Sequence, residues 1–291
     1  CPYHAWSFEM NGSLKGRPHF HGPDQHDTGN GTNKGPHEIC LFSARSAVWH
    51  DWVFVNLDGQ APAFEEYIHP LAKHFEPWDL DQFRFAHHDE FIFECNWKLA
   101  IENFMDTYHV FKVHKALDEV YEQETRATGR EAGVHMTQLN SLGGPSRGLT
   151  LDRDGPVLPD LANLDEGLER LQPAANVFPN VTITLSPGNL GYFLFEPLGH
   201  SRCIMHMWFY FVGDACEAPR HELAREKVYA EWIHINREDE SVCRRMQEGR
   251  TCDAYDGGHL APYWDRGTAH FQTQVANAIL GRGAFERTDE V

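Results

Sequence analysis

The chain has 291 residues, enough for one large α+β domain or a small domain joined to a larger one, and its 41% hydrophobic and 12% aromatic content can supply a packed core and an apolar pocket. Forty-three acidic residues against 25 basic ones give a formal charge of −18, and with no long Lys/Arg run this argues against a nucleic-acid phosphate backbone as partner. The most apolar run, Cys203 to Val212, is interrupted by His206 and falls short of the roughly 20 apolar residues that cross a bilayer, so a soluble chain with no membrane partner is expected.

Seven scattered cysteines, Cys1, Cys40, Cys95, Cys203, Cys216, Cys243 and Cys252, lack the dense even spacing of a disulfide scaffold and point to a reducing, cytoplasmic setting. Nineteen histidines are many for this length, and histidine is the commonest side-chain metal ligand. Because the first residue is Cys1 and not methionine, further sequence is expected upstream.

Residues 1 to about 60 read as a small β region: Ala5 to Met10, a turn at Asn11-Gly12, turn residues through Gly35, then an aromatic and β-branched run from Trp49 to Leu57. The turn-rich Asp58 to Pro62 marks a boundary, giving expected domains of 1–60 and 61–291, with a short helix over Phe64 to Phe75. Phe83 and Phe85, then Phe91, Phe93 and Cys95, alternate at period two and predict paired strands in a hairpin. From Asn96 the period changes, and Trp97, Ile101, Phe104, Tyr108 and Phe111 form one stripe of an amphipathic helix. Gly129 to Pro179, rich in Gly, Pro and Asn, predicts loops with one or two short elements over a pocket. Val181 to Leu185, Leu190 to Glu196 and Arg202 to Val212 predict an antiparallel meander. Pro219 to Gly249 is the longest helical candidate; its stripe of Val228, Trp232, Ile235, Val242 and Met246 is completed only by Asp239, a carboxylate where a core residue belongs.

Three groups of residues carry chemistry. Cys1-Pro2-Tyr3-His4-Ala5-Trp6 places a thiolate and an imidazole three positions apart, suited to one metal in a tight turn or, equally, to an ordinary surface turn. On the helix from Asn96, Glu102, Asp106 and His109 share a stripe. His114 lies about 140° away on a regular helix, so the two imidazoles meet only if the helix distorts or ends between them; otherwise they are two solvated histidines. Asp239 faces inward in the register of its stripe, whereas Glu238 and Glu240 flank it; the plain alternative is a solvated acidic helix edge. Two histidines and one carboxylate make the donor set of non-haem Fe(II) oxygenases, which leaves positions free for dioxygen and substrate. Tyr192, Phe193, Phe195, Met205, Met207, Trp208, Phe209 and Tyr210 on the meander either line a cavity or are plain sheet core.

Four stretches carry a family resemblance: Cys1 to Trp6, Trp52 to Asp58, Asn96 to His114, and Arg237 to Gly249. Together they resemble the oxygenase (alpha) subunit of Rieske-type non-haem iron oxygenases, the aromatic-ring-hydroxylating dioxygenase family; Glu102 to Asp106 and Glu238-Asp239 with Cys243 are most similar to its choline- and betaine-type monooxygenase branch. The resemblance implies an α+β chain: a truncated small all-β Rieske domain, then a helix-grip catalytic domain in which an antiparallel sheet wraps a long helix. It implies that Cys1 and His4 hold half of a [2Fe-2S] Rieske cluster, the Cys-x-His pair that precedes them in the family being absent here. It implies that His109, His114 and Asp239 bind a mononuclear Fe(II), and that Asp106 links an iron-ligand histidine to a cluster-ligand histidine of the neighbouring subunit. The partners implied are O2, a ferredoxin or reductase as electron donor, a homotrimer, and an aromatic substrate or, alternatively, a quaternary ammonium compound. A non-catalytic helix-grip ligand-binding protein is the alternative of another class, and it predicts no iron.

Overall fold

A computed structural model of the chain describes residues 1–28, 39–121, 129–143 and 157–282. Two compact units, Cys1–Phe64 and Glu65–Val291, divide it. In the first unit, β1 (Ser7–Phe8), β2 (Leu14–Arg17) and β3 (Asp27–Thr28) form a small antiparallel sheet, and β4 (Arg45–Trp49) pairs with β5 (Trp52–Asn56). The run expected from Trp49 to Leu57 is therefore the turn and second strand of a hairpin, because His50 takes a positive φ of 52° and reverses the chain. The turn residues expected after Thr28 lie outside the described residues.

In the second unit, α1 (Phe64–Phe75) has Glu65 and Glu66 in its first turn and Lys73 and His74 in its last, the arrangement the helix dipole favours. Then come β6 (Phe83–Phe93), α2 (Trp97–Met105), α3 (Val110–Val113) and α4 (Lys115–Asp118), followed by β7 (Arg130–Ala132), β8 (His135–Ser141), β9 (Leu171–Val177), β10 (Val181–Ser186), β11 (Asn189–Pro197) and β12 (Cys203–Val212). Two helices close the unit, α5 (Glu222–Gly249) and α6 (Arg266–Ile279). The seven strands form one antiparallel sheet in the order β6-β12-β11-β10-β9-β8-β7. Among the described residues no helix is long and apolar enough to cross a membrane.

Residues alternate across β12: Cys203, Met205, Met207, Phe209 and Phe211 are buried on the face that packs against Ala224, Val228, Trp232 and Ile235 of α5. The long helix thus lies on the sheet, and the second unit has the α+β helix-grip architecture. Three expectations are corrected. Phe83 to Phe93 is one strand and not a hairpin, because it pairs along its length with β12 and a bulge between His87 and Phe85 shifts the side-chain phase. Gly129 to Pro179 supplies β7, β8 and β9, three strands of the main sheet; residues 144–156 of that stretch lie outside the described residues. The stripe from Trp97 to Phe111 is not one helix: α2 stops at Met105, leaving Tyr108 46% and Phe111 54% exposed. The α5 stripe likewise ends on buried Cys243, with Met246 exposed.

Two contacts fix elements around the sheet. A Cβ at Gly129 would stand 2.9 Å from the Cα of Gly267 in α6, so α6 meets the backbone before β7 with no side chain between them. His135 is fully buried; its Nε2–H donates to the Tyr67 carbonyl of α1 at 2.7 Å and its Nδ1 accepts from the Phe178 amide at 3.1 Å, which fixes a neutral imidazole. Burial pushes the His135 pKa down to about 4.

Gly129→Ala is expected to lower unfolding stability by about 1–3 kcal/mol, because backbone cannot yield as a flexible side chain would; a denaturant midpoint that stays in place would contradict the close approach. The His135 shift has a defined sign: the unfolded imidazole takes a proton near pH 6.5 while the folded one resists until about 4. Stability present above pH 6.5 is therefore lost as pH falls toward 4, by about 3 kcal/mol, and the pH slope of unfolding free energy should flatten in His135→Gln.

Candidate metal centre

α2 begins at Asn96, whose side chain accepts from the Lys98 amide at 3.1 Å, and ends at Asp106, which turns to extended backbone at φ −81° and ψ 122°. The Asp106 carboxylate then accepts from the Tyr108 amide at 2.6 Å, from the His109 amide at 3.3 Å and from His109 Nδ1 at 3.1 Å. One side chain thus starts the single turn α3 and aims the imidazole of His109. At the far end of that turn His114 leaves helical conformation, with φ −111° and ψ 72°. The helical path is thus broken before His109 and again at His114, with only the single turn α3 between them, and the two rings meet with centroids 5.1 Å apart.

Asp239 arrives from α5, buried to 7% exposure beside Trp232 and Ile235 on the same helix face. Its Oδ1 lies 2.8 Å from His114 Nε2 and 3.4 Å from His109 Nε2, and the two Nε2 atoms are 3.2 Å apart. Glu238, the acid that flanks Asp239 in the sequence, approaches His114 Nδ1 at 2.8 Å. A carboxylate accepts, so each Nδ1 carries the proton, held by Asp106 on one ring and Glu238 on the other. Both Nε2 lone pairs then face each other and the Asp239 oxygen. Three acceptors converging in a buried site repel one another unless a cation or a proton sits among them, and two imidazoles with one carboxylate suit a divalent transition metal.

The electrostatics agree. Burial works against a charged His109, but Asp106 and Asp239 outweigh it and hold its pKa up at about 9. Burial likewise opposes His114, whose pKa is nonetheless raised by Asp239 and then Glu238. The Asp239 pKa falls to about 2 because hydrogen bonds from the two histidines overcome its burial.

A cavity opens beside this cluster, and Asp106, His109, His114 and Asp239 are in its wall. Its floor comes from β8 and β9, in the stretch expected to hold loops with one or two short elements, and from β10 of the expected meander. Gln138 and Asn140 of β8 pair in register with Ala174 and Gln172 of β9, Ala174 pairs with Thr184 of β10, and all five line the cavity. Phe104, Val110, Leu117, Trp232 and Ile235 supply the apolar side. None of the eight meander residues lines it: of the two readings open for them, Phe193, Phe195, Met205, Met207 and Phe209 take that of plain core under α5, and Tyr192, Trp208 and Tyr210 point to the other face. Spacing by two between the buried amides Gln138 and Asn140 is the sequence signal for the floor.

Glu102 does not share the stripe expected with Asp106 and His109. It accepts from Arg250 at 3.3 Å and Gln272 at 3.1 Å, tying α2 to the end of α5 and to α6, and burial raises its pKa against those partners. Cys1 and His4 are both exposed in a turn closed by the Ala5 amide on the Cys1 carbonyl at 3.0 Å.

Comparison with known proteins supplies the family. The chain is 25% identical to chloroplastic choline monooxygenase of Spinacia oleracea, over 96% of this chain and 59% of that protein. It is 28% identical to the glycine betaine monooxygenase oxygenase subunit of Pseudomonas aeruginosa, over 96% of this chain and 69% of that one. The chain thus spans less than two thirds of the length of the plant choline monooxygenases it matches. Among solved structures, the quaternary ammonium Rieske monooxygenase CntA superposes with a TM-score of 0.71 at 17% identity, covering 95% of this chain and 71% of that one. Naphthalene 1,2-dioxygenase from Rhodococcus sp. gives 0.67 at 18% identity, covering 97% and 76%. Residues 45–281 match the ring hydroxylating alpha subunit (catalytic domain) family, and with the helix-grip sheet and the clustered histidines and carboxylate already described, the chain belongs to that family.

Proposed function

We propose that this chain is the catalytic part of a terminal oxygenase that hydroxylates an aromatic compound, with His109, His114 and Asp239 holding a mononuclear Fe(II). The observation that carries the proposal is the convergence of three acceptor atoms whose outer nitrogens are already tied to Asp106 and Glu238. Cys1 and His4 would supply two ligands of a Rieske [2Fe-2S] cluster in the first unit. When bound, the iron supplies a place for O2 activation beside the substrate and the cluster supplies electrons one at a time.

The chain's own residues do the rest. Asp106 and Glu238 hold the Nδ1 protons and keep both Nε2 atoms free as donors. Phe104, Val110, Leu117 and Ile235 exclude water from one side of the cavity, where the flat face of an arene packs. Gln138, Asn140, Gln172 and Thr184 offer hydrogen bonds on the other side and fix how a substrate lies. A cytoplasmic homotrimer served by a ferredoxin or reductase completes the reading, with Asp106 at the contact between subunits.

The second reading is a quaternary ammonium compound as substrate. The similarity to choline and glycine betaine monooxygenases supports it, as do the parallel rings of Phe104 and Trp232, 6.2 Å apart at 2°, which present aromatic faces to a cation. Substrate-dependent O2 uptake by the full-length protein, with product and hydrogen peroxide measured together, separates the two across a panel of arenes and methylammonium compounds. Coupled turnover of arenes alone supports the first reading, and of ammonium compounds alone the second.

Metal analysis of the full-length protein is expected to give one iron beyond the cluster. His114→Ala or Asp239→Ala should lose that iron and keep the cluster's visible absorption. Full-length protein without this iron would instead support a ligand-binding helix-grip protein. Asp106→Asn keeps the shape but not the charge, and is expected to retain both centres while losing about 10- to 100-fold in turnover; parental turnover would rule out its role between the centres.

A further inference from the structure

On the face of the sheet turned away from α5, a second group of ligating side chains is built into the strand register. His206 of β12 stands directly opposite Glu90 of β6, while Glu196 of β11, opposite Ile204, is its diagonal neighbour. Glu196 Oε2 is 2.8 Å from His206 Nε2, and Glu90 Oε1 is 3.4 Å from His206 Nδ1. With the Nε2 proton donated to Glu196, His206 turns the Nδ1 lone pair toward a second carboxylate. Two acceptors facing each other call for a cation or a proton between them, as in the His109 cluster. Among the described residues, neither Glu90 nor Glu196 has a Lys or Arg partner to provide one.

His88 completes the group. It lies opposite Trp208 on the same face, and its ring stacks on that of His206 with centroids 5.7 Å apart and 13° between planes. Trp208 holds both imidazoles, at 4.8 Å from His88 and 5.7 Å from His206. One donor atom from each of His88, Glu90 and His206 lies within 4.8 Å of the other two. Coordination bonds of about 2.0–2.2 Å require the donors somewhat closer. The Glu90 side chain is 56% exposed and free to rotate inward.

We infer that His88, Glu90 and His206 form a second metal site for a divalent transition cation of the zinc, nickel or copper class, with Glu196 as the residue that orients His206. Imidazole donors favour these ions over calcium or magnesium, and the carboxylate on the outer nitrogen is the partner that metal-bound histidines use. The site stands on paired strands, so its two imidazoles are held before the ion arrives and Glu90 closes onto it. It is independent of the His109 centre, which faces the other side of the sheet.

Calorimetric titration of the full-length, iron-loaded protein with Zn2+ tests the inference. One equivalent of zinc should bind, be lost in Glu90→Gln and His206→Ala, and weaken about 10- to 100-fold in Glu196→Gln. His109→Ala should still bind zinc in a manner that Glu90→Gln, added to it, abolishes. Because Glu90 is exposed, Glu90→Gln should unfold at the parental temperature in the absence of zinc, which separates loss of a ligand from loss of fold. Absence of zinc uptake by the parental protein, or uptake that survives both Glu90→Gln and His206→Ala, would overturn the site.

Discussion

The carboxylate of Asp106 is the interaction on which the centre depends. It terminates α2, accepts two backbone amides to begin α3, and grips the Nδ1 of His109. Were α2 to run on as a regular helix, residues five apart would point about 140° away from each other and the histidines would never meet. A side chain that satisfies donors exposed at a helix break is ordinary chemistry; here the same side chain also sets the direction of an imidazole. His114 repeats the arrangement from the other side, gripped by Glu238 of α5. Each imidazole is thus fixed at one nitrogen by a carboxylate outside the centre and presents the other inward.

This geometry brings several charges into a poorly hydrated space. Asp239 is buried at 7% exposure, and two imidazoles reach its single oxygen. Such a cluster is stable only when its members compensate one another, which the opposite directions of the Asp239 and His109 shifts describe. The cavity floor obeys the same constraint with neutral groups: the Gln172 side chain donates from Nε2 to the Ser186 hydroxyl at 3.0 Å and accepts at Oε1 from the Tyr121 hydroxyl. Polar residues line the cavity because the sheet supplies them in register; Gln138 and Gln172 stay buried with partners, whereas Asn140 Oδ1 finds none among the described residues.

Much of this was legible in the residues. The helix over Phe64 to Phe75, the meander from Val181 to Val212 and the long helix ending at Gly249 follow from periodicity and turn chemistry, and the structure has all of them. Asp239 was marked by a carboxylate standing in an apolar stripe. β8 and β9 were illegible because one of their faces lines a polar cavity and the other is covered, so HMTQLNS and LQPAANV show no alternation of apolar and polar residues. β6 was misread because a bulge changes phase in mid-strand and a His-His-Asp-Glu run imitates a turn. The partnership of Glu238 with His114 could not be seen either, since Glu238 lies off the apolar stripe that singled out Asp239.

The sheet order has a consequence for how the molecule is made. β7 to β12 follow one another as neighbours, but β6, first of the seven in the chain, pairs with β12, the last. His109 and His114 come soon after β6, yet Asp239 is 125 residues beyond His114 and lies on the helix that follows β12. During synthesis the two histidines leave the ribosome long before the strand that completes their sheet or the carboxylate that faces them. Such distant pairings carry a loop-closure cost and come late in folding. The cluster is therefore assembled only after α5 has been made, and a nascent chain interrupted before β12 exposes two histidines and an unpaired β6 edge with nothing to cover them.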